Sequence, residues 1–231
     1  MRQISANSPV AGDGPQGFGG LPLSAAMLAN LDRLGYHRMT PIQQATLPLT
    51  LSGRDLIAQA KTGSGKTAAF AIPLLAKLDV SRLDVQALVL CPTRELAEQV
   101  TQELRRLARA EDNVKILTLA GGVMMRGQRA SLDHGAHIAV GTPGRIMDLL
   151  DRGNLDLGAV QTLVLDEADR MLDMGFHDDI VYVARRVPTQ RQTLLFSATY
   201  PDGIARLAAQ FLRNPQRVTV QAQHEHDKIR Q

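Results

Sequence analysis

The sequence predicts an α/β domain with a mostly parallel sheet and helices on both faces. Three observations carry that expectation. Short apolar runs alternate with stretches of helical spacing over most of the 231 residues, the pattern of β-α units joined by crossovers. A glycine-rich turn, Gly63-Ser64-Gly65, sits between one such run and a helical stretch. An acidic pair, Asp166-Glu167, follows directly on another run, where a strand would end. Sheets of this class bind ligands outside the carboxyl ends of their strands, and the chemically expressive residues of this chain fall at those ends.

Taken in order, residues 1–17 are rich in Gly, Pro, Ser, Ala and Asn and read as a flexible tail. From Leu21 the apolar spacing becomes helical through Leu23, Met27, Leu28, Leu31 and Leu34, and Gly35 closes it. Strands are expected at 55–59, 86–91, 115–119, 137–140, 161–165, 193–196 and 217–221. Helices fit between them, as from Glu95 to Arg109 and from Asp202 to Leu212. Residues 222–231 read as a tail or the start of a linker. No internal repeat is present.

Composition narrows the class. Apolar residues make up 44% of the chain, enough for one soluble domain with a full core. No apolar run approaches the roughly 18 residues of a membrane span, and the first residues lack the apolar segment of a signal peptide. One cysteine excludes both an intramolecular disulfide and a cysteine zinc site. These features point to the cytoplasm. Cys91 ends an apolar run and reads as a small buried residue. The 26 Lys and Arg against 23 Asp and Glu permit nucleic-acid binding without requiring it. With three Tyr, five Phe and no Trp, stacking on aromatic platforms is poorly supplied. A nucleic acid would be held by its backbone.

Ala60-Lys61-Thr62-Gly63-Ser64-Gly65-Lys66-Thr67 has the spacing of a phosphate-cradling loop, with Ala60 where the strict pattern has Gly. Gly63 and Gly65 let backbone amides approach phosphate oxygens, and the following helix adds its positive end. Lys66 would neutralise β- and γ-phosphates, and Thr67 would offer a hydroxyl to Mg²⁺. Asp166, at a strand end, would hold the same Mg²⁺. Glu167, on the opposite side of an extended chain, would polarise an attacking water. Asp169 faces away from that metal and would orient its neighbours. The plain alternatives are a Gly-Ser turn before an ordinary helix and acids that cap the helix near Ala168. Together, in this order, the two segments make a nucleoside-triphosphatase site.

With those residues in place the chain resembles the N-terminal RecA-like P-loop lobe of a DEAD-box RNA helicase, from Phe18 to about Val220. The resemblance includes Gly35-Tyr36-His37-Arg38-Met39-Thr40-Pro41-Ile42-Gln43, with Phe18 seventeen residues before Gly35. It continues through Pro92-Thr93-Arg94-Glu95-Leu96-Ala97, Gly121-Gly122, Thr142-Pro143-Gly144-Arg145, Asp166-Glu167-Ala168-Asp169 and Ser197-Ala198-Thr199. Met39 and the stretches Gln86–Cys91 and Leu104–Arg109 are similar to a bacterial subgroup that acts on ribosomal RNA.

The resemblance implies roles. Gln43 would read the adenine edge of ATP, Tyr36 would stack on the base, and Phe18 would pack nearby. Thr62, Gly63, Ser64, Gly65, Lys66 and Thr67 would hold phosphates. Pro92, Thr93, Arg94, Gly121, Gly122, Thr142, Pro143, Gly144 and Arg145 would grip an RNA backbone without reading its sequence. Ser197 and Thr199 would bond to the acidic segment, Asp169 included, and relay nucleotide state. The family also has a second lobe, which this chain is expected to lack. ATP hydrolysis and unwinding are then expected to be very poor in the chain alone. The family's partners would be RNA, the second lobe and ribosomal precursor particles. Two other readings stay open: a P-loop DNA translocase or nucleotide switch, and a stand-alone one-lobe binding module.

Overall fold

The computed structural model describes residues 3–5, 16–61, 63–122 and 124–220. Eight strands form one sheet: β1 (Gln3–Ser5), β2 (Leu56–Gln59), β3 (Ala87–Leu90), β4 (Ile116–Leu119), β5 (Ile138–Gly141), β6 (Thr162–Leu165), β7 (Gln192–Ser197) and β8 (Gln216–Thr219). Their order across the sheet is β1-β8-β2-β7-β6-β3-β5-β4. Every pairing is parallel. The described helices are α1 (Ala25–Arg33), α2 (Pro41–Leu51), α3 (Lys66–Leu75), α4 (Arg94–Leu107), α5 (Met125–Asp133), α6 (Pro143–Asp151), α7 (Ala168–Asp173), α8 (His177–Ala184) and α9 (Asp202–Phe211).

The sheet is covered on both faces because its central strands are apolar on both. Every residue of β3, β5, β6 and β7 is buried, as expected where crossover helices lie on each side. Alternate strand residues divide the core in two. Ala58, Val89, Val140, Val164 and Phe196 face α1–α4. Ile57, Leu88, Leu90, Ala139, Leu163, Leu165 and Leu195 face α6–α9. The direction of travel explains the division. The chain moves outward across the sheet from β2 to β3 to β4, then returns through β5, β6, β7 and β8. Right-handed crossovers place outbound and returning helices on opposite faces.

Local signals set the helix ends. Ser24 Oγ accepts from the Met27 amide at 3.1 Å to start α1, and Gly35, at φ +84°, follows its end. Thr40 and Gln43 form a reciprocal capping box at α2, with Pro41 at its first position. Thr93 Oγ1 accepts from the Leu96 amide at 3.3 Å and starts α4.

Two expectations change. Gln3–Ser5, inside the segment read as a tail, pairs with β8 as an edge strand. A three-residue strand has too little apolar content to be seen before its partner is known. Glu167 is not extended: the strand ends at Leu165, and Glu167 adopts φ +50°, ψ +50° as the chain turns into α7. Residues 222–231 and Thr62 lie outside the described residues.

At the end of the sheet away from the site, polar groups close the termini of β2 and β7. Buried Asp55 accepts from the Thr193 amide at 2.9 Å and the Arg213 amide at 2.6 Å. Gln192 Nε2 donates to the carbonyls of Thr50 (2.9 Å) and Arg54 (2.7 Å). Gly141 is where β5 passes closest to its surroundings. A Cβ there would run into the Leu119 carbonyl and lie 2.9 Å from Ile146 Cδ1. Gly141→Ala is therefore expected to lower stability by about 2 kcal/mol, read as a shifted midpoint in urea unfolding.

Candidate active site and nucleic-acid face

The glycine-rich loop leaves the end of β2, and α3 begins at Lys66. Gly63 and Gly65 have φ +80° and +91°, which glycine adopts freely. Gly65 has a second reason to be glycine. A Cβ on it would lie 2.7 Å from Gln43 Nε2 and 2.8 Å from Thr40 Oγ1. The capping box of α2 thus packs on the loop. Gln43 Nε2 donates to the Gly65 carbonyl at 3.2 Å, and its Oε1 accepts from the Thr40 amide at 2.9 Å.

A cleft of about 430 Å³ opens above this loop. Gly63, Gly65, Lys66, Thr67, Asp166 and Glu167 line one part, and Tyr36, Leu96, Gln99, Val100 and Glu103 line the other. Lys66 Nζ and Ser64 Oγ are buried and make no hydrogen bond within the described protein. A buried ammonium with no hydrogen bond is costly, and it suits a site that receives an anion.

Asp166 leaves the end of β6 with its amide bonded to the Leu90 carbonyl at 2.9 Å. Burial pushes its carboxyl up to about 6, with Glu167 and Asp169 adding to the rise; the Lys66 ammonium and the Glu167 amide oppose it. Glu167 Oε2 accepts from Arg170 Nη1 at 3.3 Å. Asp169 turns the other way. Its Oδ2 accepts from the Ala198 amide (3.1 Å), the Thr199 amide (2.9 Å) and Thr199 Oγ1 (2.9 Å). Burial alone would raise the Asp169 carboxyl, but these bonds, the Arg170 amide and the nearby Ser197 hydroxyl hold it below the usual range. Ser197 Oγ itself closes no hydrogen bond of good geometry.

Phe18 is buried edge-on to Tyr36, centroids 6.2 Å apart at 83°. Neither Phe18 nor Gln43 lines the cleft, and both ends of the Gln43 amide are already bonded. Cys91, at the end of β3, is buried, and burial next to Asp166 and Glu167 raises its thiol well above the ordinary value. It is inert packing.

The remaining predicted residues gather on the adjoining half of the same edge. Strands β3, β5 and β4 are neighbours, and Pro92–Arg94, Thr142–Arg145 and Gly121–Gly122 follow them. Arg94 Nη1 donates to the Gly122 carbonyl at 3.4 Å, and its Nε to Glu98 Oε1 at 2.7 Å. Gly122, at φ +78°, leaves room for that arginine, since a Cβ would lie 3.2 Å from Arg94 Nη1. Gln128 was not anticipated. It is buried, donates to the Ala120 carbonyl at 2.9 Å, and accepts from Arg145 Nη1 at 2.7 Å, so it ties the end of β4 to the start of α6. Glu103 was also missed. A glutamine or glutamate on an amphipathic helix carries no sequence signal that separates it from a solvent-facing residue.

The model of the DEAD/DEAH box helicase family matches residues 40–207. The chain belongs to this family. It is the N-terminal, RecA-like lobe of a DEAD-box protein. It is 58% identical over 193 residues to the ATP-dependent RNA helicase DbpA of Escherichia coli (strain K12), covering 84% of this chain and 42% of that protein. It is 50% identical over 205 residues to the DEAD-box ATP-dependent RNA helicase CshA of Streptococcus pneumoniae, covering 89% of this chain and 39% of the other. A solved DEAD-box protein from the hyperthermophile Methanococcus jannaschii superposes with a TM-score of 0.85 at 40% identity, covering 89% of this chain and 56% of that one. The chain spans less than half the length of these two curated relatives. No helix among the described residues is long and apolar enough to cross a membrane.

Proposed function

We propose that this DEAD-box lobe, residues 18–221, is the ATP-binding half of an ATP-dependent RNA helicase. One observation carries the reading: a buried lysine ammonium that makes no hydrogen bond among the described residues faces the same cleft as a strand-end aspartate. The backbone-binding segments sit on the neighbouring half of the same sheet edge. Gly63, Ser64, Gly65, Lys66 and Thr67, with Thr62, would hold the phosphates. Tyr36, backed by Phe18, would carry the base. Gln43 would read the adenine edge by exchanging the Gly65 carbonyl for the base.

The donors fit Mg²⁺. Thr67 and Asp166 offer hard oxygens, and Mg²⁺ is commonly held by one or two protein oxygens plus phosphates. A bound Mg²⁺ would neutralise charge developing on the transferred phosphoryl group. Glu167 would accept a proton from the attacking water, and Asp169 would couple that site to Ala198 and Thr199. Pro92–Arg94, Gly121, Gly122 and Thr142–Arg145 would grip successive RNA phosphates, with Gln128 holding Arg145 in place.

No arginine is among the described residues lining the cleft. An arginine supplied from elsewhere contributes roughly 10³–10⁵ in rate to phosphoryl transfer, so hydrolysis is assigned to this lobe together with a second one. Residues 222–231 would lead towards that lobe, in the cytoplasm. The resemblance of Gln86–Cys91 and Leu104–Arg109 adds ribosomal precursor particles as the RNA-bearing partner.

The test is nucleotide competition followed by turnover. The 231-residue chain is expected to bind ADP in preference to GDP. It should hydrolyse ATP negligibly with or without structured RNA, at the level of Glu167→Gln. Preference for guanine would favour a nucleotide switch. RNA-stimulated turnover abolished in Glu167→Gln would show that the chain completes its own site.

A further inference from the structure

Glu103 belongs to no segment assigned above, yet it is the charged group at one end of the cleft. Helix α4 runs along the cleft wall and presents Leu96, Gln99, Val100 and Glu103 to it, the spacing of one helix face. At 1.5 Å per residue, Leu96 and Glu103 stand about 10 Å apart along the axis. Glu103 therefore lies at the far end from the helix start, beside Tyr36.

The Tyr36 phenol donates to Glu103 Oε1. Burial first, then that hydrogen bond and the Glu103 charge, push the phenol far above its ordinary value, against Arg106. The proton therefore stays on tyrosine, and the bond is charge-assisted. Arg106 Nη1 donates to the other carboxylate oxygen at 2.9 Å, and the Glu103 side chain is 18% exposed. The segment that carries Tyr36 is anchored separately. Asn30 Nδ2 donates to the Arg106 and Leu107 carbonyls at the end of α4, at 3.2 and 2.9 Å, and the Tyr36 amide bonds the Leu31 carbonyl at 2.9 Å. Those contacts hold the backbone. The ring is held by Phe18 at its side and Glu103 at its tip.

We propose that Glu103 is a positioning residue for nucleotide binding: its carboxylate fixes the Tyr36 ring as the platform on which the base lies. The proposal rests on the nucleotide-site reading above. It gives Glu103 a role towards the base and none towards the phosphates, because Glu103 touches neither the phosphate loop nor Asp166.

The test compares ADP with inorganic tripolyphosphate, which has the phosphates and no base, by calorimetric titration of the chain. Glu103→Leu is expected to weaken ADP about five-fold and to leave tripolyphosphate unchanged. In a Tyr36→Phe background, Glu103→Leu should cause no further loss, because the hydroxyl it serves is gone. Glu103→Gln, whose amide oxygen accepts the same bond, should restore most of the ADP affinity. Unchanged ADP affinity in Glu103→Leu would overturn the proposal. Equal losses for both ligands would overturn it too, since they would make Glu103 a general support of the fold. A wild-type chain that binds neither ligand would instead sink the nucleotide-site reading, and this proposal with it.

Discussion

Lys66→Ala should weaken ADP binding by at least 100-fold, about 3 kcal/mol, while the nucleotide-free protein melts no lower than wild type. The two halves of that expectation have one cause. Lys66 is 6% exposed and its ammonium makes no hydrogen bond in the described protein. The charge of nearby Asp166 offsets its burial only in part, since burial still dominates at that carboxyl. Truncating an ordinary core residue leaves a cavity and lowers stability. Truncating this one also removes a buried ammonium that makes no hydrogen bond, and Asp166, whose carboxyl already lies at about 6, then takes up a proton more readily, so the cavity is offset. Binding suffers because phosphates would satisfy that charge inside a site where Coulomb attraction is weakly screened. Titration calorimetry with a melting curve on the same sample checks both halves. Unchanged ADP affinity would refute the phosphate role, and a large drop in melting temperature would make Lys66 structural.

Asp166→Asn is expected to stabilise the metal- and nucleotide-free chain while removing the Mg²⁺ dependence of nucleotide binding. The sign follows from the direction of the shift. The Asp166 carboxyl sits at about 6 against an ordinary 3.8, so the folded chain holds a proton that the unfolded chain has released. Stability then falls as pH rises from about 4 to about 6 and levels off above, a loss of roughly 3 kcal/mol. Asparagine keeps the shape and the acceptor for the Glu167 amide, which donates to Asp166 Oδ1 at 3.0 Å, but carries no charge. At pH 7.5 in EDTA, Asp166→Asn should gain about 2–3 kcal/mol in urea unfolding. The stability slope between pH 4 and 6 should flatten with it. Added Mg²⁺ should tighten ADP binding in the wild type and not in the variant. An Asp166→Asn chain less stable than wild type would mean that the Lys66 ammonium is compensated chiefly by this carboxylate.

Much of the site is legible in the chain because its determinants are local. The seven strands after β1 fall within a residue or two of their expected positions, and β3, β5, β6 and β7 are announced most plainly, since burial on both faces demands continuous apolar sequence. Gly35 marks the end of α1 through contacts a few residues apart. The glycine-rich loop is legible for the same reason, whereas the bonds from Thr199 to Asp169, thirty residues away, were anticipated only through the family resemblance.

What escaped depends on contacts between distant segments. Gln3–Ser5 becomes a strand because β8 offers an edge. Glu167 leaves the extended conformation because α7 must start immediately after β6. The Gln43 amide, expected to face adenine, is bonded across to Gly65 from 22 residues away. Glu103 and Gln128 read as ordinary polar helix residues until Tyr36 and Arg145 are brought against them. The sequence by itself determined the apolar runs, the turns and the glycine-rich loop before α3, because these follow from backbone conformation and side-chain periodicity over a few residues. Only the tertiary structure decided that the tops of β2, β7 and β6 form one half of the edge and those of β3, β5 and β4 the other. That partition follows from strand order, which is set by non-local burial and the handedness of crossovers.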